Sequence, residues 1–288
     1  AVWIRWMILI TIGAVVAFLI RELRIDKPLV DLRVFLDRNF AMGCLLIALF
    51  GGVIYGVVTL LPLFYQTLLG YTAVAAGFAV SPRGLGAILI MPVIGALTGR
   101  LDNRWLIVTG FAVFGWTSIW MGRLTLDISP TSLLWPIIIS GAGTGMVFVP
   151  LATLTMGTLR NEQIGNASGL FNLMRNVGGG VGISMVNTLV ARHSQIHRAE
   201  LAQNLAPQNP AFQQAFAATH AAVSQTAGPG VADQKAYGLL QGILDQQSAA
   251  FSYVDVFRYL AIACFVCGVM VIFMKRVRAR KGAPAMAH

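Results

Sequence analysis

The 288 residues are 57% apolar and only 11% charged, where a soluble domain carries about 25% charged residues. That balance sets a soluble globular domain aside and points to an integral membrane protein. The net charge of +10 is not gathered on a basic face of any soluble module. Nucleic acid is therefore not an expected partner, and the lipid bilayer is.

Seven apolar runs are long enough to cross a hydrocarbon core of about 30 Å, at 2–20, 40–64, 74–98, 105–124, 133–156, 167–190 and 255–274. The expected fold class is an all-α polytopic membrane protein with seven transmembrane helices. The chain starts inside an apolar run and without an initiator Met, and it reads as a C-terminal fragment of something longer. Between the first two runs, residues 21–39 form a mixed-charge linker with Leu29, Val30, Leu32, Val34, Phe35 and Leu36 placed to lie at the interface. Thirteen of the 21 basic residues fall in one alternating set of gaps and the C-terminal tail. The positive-inside rule makes that set cytoplasmic, so the C-terminus is expected inside and residue 1 outside. The basic tail KRVRARK could anchor to anionic headgroups, but an ordinary stop-transfer flank is preferred.

Close packing is written along the spans as GxxxG pairs, which let a neighbouring helix approach: Gly52/Gly56, Gly95/Gly99, Gly141/Gly145 and Gly178/Gly182. Pro62, Pro82, Pro92, Pro136 and Pro150 add kinks suited to helices bending around a cavity. The run at 167–190 carries one charge, Arg175, near its middle. An unpaired guanidinium at that depth costs roughly 2.5–3.5 kcal/mol on insertion scales, so it must face other helices or a wet cavity. Asn172 and Asn176 put further polar groups beside it. GGGVG in the same run is not a phosphate loop, because it lacks GK[ST] and lies within a span.

Residues 191–254 are Ala- and Gln-rich. Pro207, Pro210 and GPG at 228–230 divide them, so two or three short helices are expected, with Asn209-Pro210 as cap and first helical position. His193, His197 and Glu200 fall at i, i+4 and i+7, a spacing that could ligate a metal; a polar stub leaving the membrane is preferred, and no metal site is expected. Cys264 and Cys267 in CFVC share a buried helix face, with no second pair to complete a zinc site. No cofactor is expected.

GALTGRLDNRWLI at 95–107 resembles the degenerate second copy of the major facilitator superfamily loop signature, G-x-L-x-D-R-x-G-R. Gly95, Leu97 and Arg100 match, Arg104 follows the final arginine position by one residue, Gly99 stands where the family has aspartate, and Asp102 lies three residues on. Alongside it, SPRGLG (81–86), LDNRWL (101–106), SLLWP (132–136), GAGTGMVFVPLATLT (141–155), NASGLFNLMRNVGGGVG (166–182) and HSQIHRAELAQ (193–203) occur in order. Together they resemble the C-terminal half of the fourteen-helix EmrB/QacA-type drug:proton antiporters.

The resemblance implies that 1–20 is the second of two extra central helices. Residues 40–274 are then the C-terminal six-helix bundle, including a periplasmic loop at 191–254, and 275–288 a cytoplasmic tail. It further implies a multi-pass protein of the bacterial inner membrane. Amphipathic drugs are exported against proton entry by alternating access, opposite an N-terminal half of the same chain. A periplasmic adaptor and an outer-membrane channel are the implied partners. Candidate pathway residues are Arg83, Asn172, Arg175 and Asn176, with Tyr65, Gln66 and Phe148. No Asp or Glu sits inside a span, so the coupling carboxylate is expected in the other half. A non-transporting membrane scaffold is the alternative. A membrane-embedded enzyme is disfavoured because no nucleophile–base set lies at bilayer depth.

Overall fold

In lipid every backbone amide must find its partner within the segment, so apolar runs of bilayer length fold as helices. The computed structural model describes residues 2–25, 31–123, 130–203, 210–225 and 231–275. These form α1 (Val2–Arg24), α2 (Arg38–Thr67), α3 (Ala73–Val80), α4 (Pro82–Thr98), α5 (Asn103–Met121), α6 (Pro130–Met156), α7 (Asn161–Gln203), α8 (Pro210–Ser224) and α9 (Ala232–Val271), with one short 3-10 turn at Leu32–Leu36. No strand occurs among the described residues. The protein is an all-α polytopic membrane protein.

Among the described residues, five segments are long and apolar enough to cross a membrane: Val2–Glu22, Arg38–Thr67, Ala73–Thr98, Ser132–Met156 and Ala232–Val271. The runs expected at 105–124 and 167–190 are helical as α5 and α7, but their apolar character is diluted. In α5, Asn103 and Arg104 and a set of Gly, Thr and Trp residues lower it; within 167–190 of α7, Arg175, three asparagines and the glycines do. Trp105 and Trp120 stand exposed near the two ends of α5, about 22 Å apart along the helix, where interfacial tryptophans belong.

α2 is the centre of the bundle. It packs along α7 and touches α6 and α9, while α6 joins α4 and α5, and α5 and α7 each pack on α9. Phe50 at its middle meets Phe111 and Phe114 of α5 edge-on, with centroids 5.1 and 5.6 Å away. None of the apolar window of α1 is buried by the rest of the described chain.

One face of the bundle is tied by polar contacts. Asp37 caps α2 through the Phe40 amide at 2.9 Å and accepts from Thr158 at 2.8 Å. Asn39 exchanges two hydrogen bonds with the Lys275 backbone, at 2.7 and 3.0 Å. Residues 26–30 of the linker and 276–288 of the basic tail lie outside the described residues.

The span expected at 74–98 is present as Ala73–Thr98, and its kink falls at Pro82, with Ser81 closing α3 and opening α4. One expectation is corrected. Residues 191–254 do not fold as a loop of short helices. The Ala- and Gln-rich sequence has high helix propensity, so α7 continues for 43 residues and α9 for 40, with only α8 separate. At 1.5 Å per residue these rods measure about 65 and 60 Å, roughly twice the hydrocarbon core. They project together as a stalk, with α8 packed on α9. Pro210 does begin α8; Asn209 lies outside the described residues.

Candidate functional site

Three of the four glycine pairs are where helices meet. A methyl group on Gly178 would strike the Ala48 backbone, one on Gly182 would strike Gly52, and one on Gly51 would strike the Arg175 carbonyl. α2 and α7 are thus in backbone contact over two turns, which seats Arg175 at bundle depth. Gly56 continues the seam against Val186. On the other side of the bundle, Gly141 lies against the Arg83 carbonyl, Gly145 against Ile90 and Ala87, and Gly86 against Ile138. The fourth pair is a correction: Gly95 and Gly99 have nothing within 4 Å of an added methyl, so Gly95 supports no helix contact among the described residues. It is exposed near the free end of α4.

Arg83 and Arg175 meet α6 on one stripe. Arg83 is buried; its Nη2 donates to Thr144 Oγ1 at 3.4 Å, and its guanidinium lies 5.5 Å from the centre of the Phe114 ring. The guanidinium of Arg175 lies 5.4 Å from the centre of the Phe148 ring. Thr144 and Phe148 are four residues apart, so they sit one above the other, about 6 Å apart along α6. Each cation rests against an aromatic face, a contact worth about 0.5–2 kcal/mol. Each also keeps one buried nitrogen, Nη1 of Arg83 and Nε of Arg175, without a hydrogen-bond partner in the described chain. A buried donor left unsatisfied costs about 1–3 kcal/mol, which partly offsets the ring contacts.

Arg83 lines a groove of about 450 Å³ between α2, α3–α4 and α6, with Ile54, Val58, Pro62, Ser81, Gly84 and Thr144 among its walls. That volume is in the range of small-molecule sites, about 300–1,000 Å³. The walls are mostly apolar with few polar groups. A second cavity of about 460 Å³ lies in the stalk among α7, α8 and α9, away from the arginines.

The other sequence candidates divide. Asn172 is half-buried and donates to its own helix at Ser168 O, 3.0 Å; Asn176 is exposed on the same helix. Phe148 touches Arg175 and lies 6.3 Å from the Phe171 ring. Gln66 is exposed and donates to Pro62 O at 3.1 Å. Tyr65 is fully buried in the apolar core, its ring 5.3 Å from Tyr71, and it does not line the groove.

In the loop signature, Leu97 O accepts from Arg100 N at 2.9 Å to close α4. Asp102 accepts from Arg104 N at 3.2 Å as the cap of α5. Arg100 is exposed, and Arg104 buries an Nε with no partner. Thr144 and Phe114 are contacts that reading the sequence missed. The one signal for Thr144 is its four-residue spacing from Phe148; Phe114 has none.

A family model described as Major Facilitator Superfamily matches residues 2–183. The fatty acid resistance protein FarB of Neisseria gonorrhoeae is 33% identical over 240 residues, covering 83% of this chain and 46% of FarB. The multidrug export protein EmrB of Escherichia coli K12 is 32% identical over 288 residues, covering 98% of this chain and 54% of EmrB. EmrB of Haemophilus influenzae is 34% identical over 206 residues, 71% of this chain and 40% of that protein. The chain thus spans about half the length of the relatives it matches.

Proposed function

The chain belongs to the major facilitator superfamily, and we propose that it is the C-terminal half of a proton-driven exporter of amphipathic compounds working by alternating access. The observation that carries this reading is the similarity to EmrB along 98% of the chain. Three named relatives are a fatty acid resistance protein and two multidrug export proteins. Proton coupling, the inner membrane and a cytoplasmic C-terminus belong to the same proposal. The clustering of basic residues on alternate gaps supports the orientation.

In this reading, residues 40–274 form one bundle, and an N-terminal bundle of the same protein closes the cavity across from Arg83 and Arg175. The positive charge that each arginine carries within the bundle suits a partner carboxylate there. α1 is one of two central helices, and the stalk of α7, α8 and α9 faces the periplasm, where an adaptor would dock and lead to an outer-membrane channel.

The test uses vesicles holding the full-length transporter, an amphipathic fluorescent cation and an imposed pH gradient. Dye movement that follows the gradient and stops when it is dissipated is expected. Movement indifferent to the gradient, or none, contradicts the proposal. The 288-residue chain alone, in the same vesicles, is expected to move no dye.

A further inference from the structure

His193 and His197 are one turn apart on α7 and point across to α9, where Asp255 meets both. Asp255 Oδ2 is 3.5 Å from His193 Nδ1 and 2.7 Å from His197 Nε2, and the three ligand atoms all lie within 4.8 Å of one another. A four-coordinate ion with bonds of about 2.1 Å sets its ligand atoms about 3.4 Å apart. The His193 edge already has that length. The His197 edge is a hydrogen bond, and replacing its shared proton with an ion opens it by only about 0.7 Å.

The groups behind these three atoms are also in place. Metal-bound histidines usually give their other N–H to a carboxylate or carbonyl, which fixes the tautomer. His197 Nδ1 faces Glu200 Oε2 at 3.4 Å, leaving Nε2 as the lone-pair donor. The second oxygen of Asp255 is 3.5 Å from Arg258 Nη1, so Oδ2 is the free ligand atom. The Tyr259 ring stands 5.4 Å from the His193 ring, and Phe251 stands 5.7 Å from His197. The three ligands are each about one-fifth exposed, which holds them in place and still leaves a path for an ion.

We propose that His193, His197 and Asp255 bind one divalent transition-metal ion of the zinc class, with water as fourth ligand, fastening α7 to α9 at the base of the stalk. Two imidazoles and one carboxylate suit zinc and disfavour magnesium or calcium, which take oxygen ligands. The site does not depend on what the protein transports.

The test uses the whole chain in detergent, purified without a polyhistidine tag and titrated with cobalt(II) chloride, then zinc sulfate. One cobalt per chain is expected, with the visible bands of a four-coordinate nitrogen and oxygen set and no thiolate charge-transfer band; zinc should displace it and raise the melting temperature. H193A, H197A and D255N should each weaken zinc binding at least tenfold. E200Q, which keeps every ligand, should weaken it about 10- to 100-fold. H220A, which alters the separate His220–Asp233 pair, should leave it unchanged. A cobalt spectrum with thiolate character would assign the metal to Cys264 and Cys267 and overturn the proposal. So would zinc binding that survives H197A with D255N, or that is absent from the parent chain. E200Q guards the test against variants that fail to fold.

Discussion

The two ends of α7 are held by opposite means. Through residues 175–186 it lies backbone to backbone against α2, with Gly178 on Ala48 and Gly182 on Gly52. Beyond residue 192 it is held to α9 by side chains: His193 and His197 on Asp255, and Arg198 on Asp245 at 2.6 Å. In lipid no hydrophobic force drives helices together, so association depends on close van der Waals contact, and small residues supply it. In the stalk, water screens the ion pairs and competes for them. The buried seam therefore tolerates no added atom, whereas the stalk tolerates the loss of several.

Gly178→Val should break the seam, because the new side chain has only the Ala48 backbone to enter. Overpacking of this kind costs about 1–3 kcal/mol, and more where backbone must move. The buried free thiols of Cys44, Cys264 and Cys267 report it directly, as faster labelling by a thiol-reactive dye and a lower melting temperature. Asn39→Ala comes next. It removes both hydrogen bonds to Lys275, each worth about 0.5–1.5 kcal/mol, and should loosen the face opposite the stalk.

Arg198→Ala is a smaller test of the stalk. The Arg198–Asp245 pair is half exposed, and such pairs contribute about 0.2–1 kcal/mol; its effect should shrink further in high salt. Gly180→Ala sharpens the contrast by its sign. Gly180 is two residues from Gly178 but has nothing within 4 Å, so alanine there should be neutral or stabilise by up to about 1 kcal/mol. Destabilisation by Gly180→Ala comparable to that of Gly178→Val would contradict the assigned faces of α7.

What could be read before the structure follows the same division. Bilayer thickness fixes the length of an apolar run, so the helical class and most helix positions were legible. A GxxxG pair shows that a face is small, but not what lies opposite it. Gly178/Gly182 finds α2, while Gly95/Gly99 finds nothing among the described residues, and the two read alike. The spacing of His193, His197 and Glu200 gave their shared face. Asp255, some 58 residues on, read only as the polar start of an apolar run, because the register of α7 on α9 is a tertiary fact. The stalk was misread because Pro and Gly between Ala-rich stretches signal a break that holds around α8 but does not shorten α7 or α9. Tyr65 was a candidate pathway residue, yet its ring packs in the core.

The most direct measurement is efflux of an amphipathic substrate by the full-length transporter carrying Arg175→Ala, compared with the parent at equal membrane abundance. Arg175 sits on Phe148 with one buried nitrogen unpaired, and its removal should cut efflux at least tenfold while thiol labelling shows the bundle still folded. Unchanged efflux at equal abundance would contradict the account.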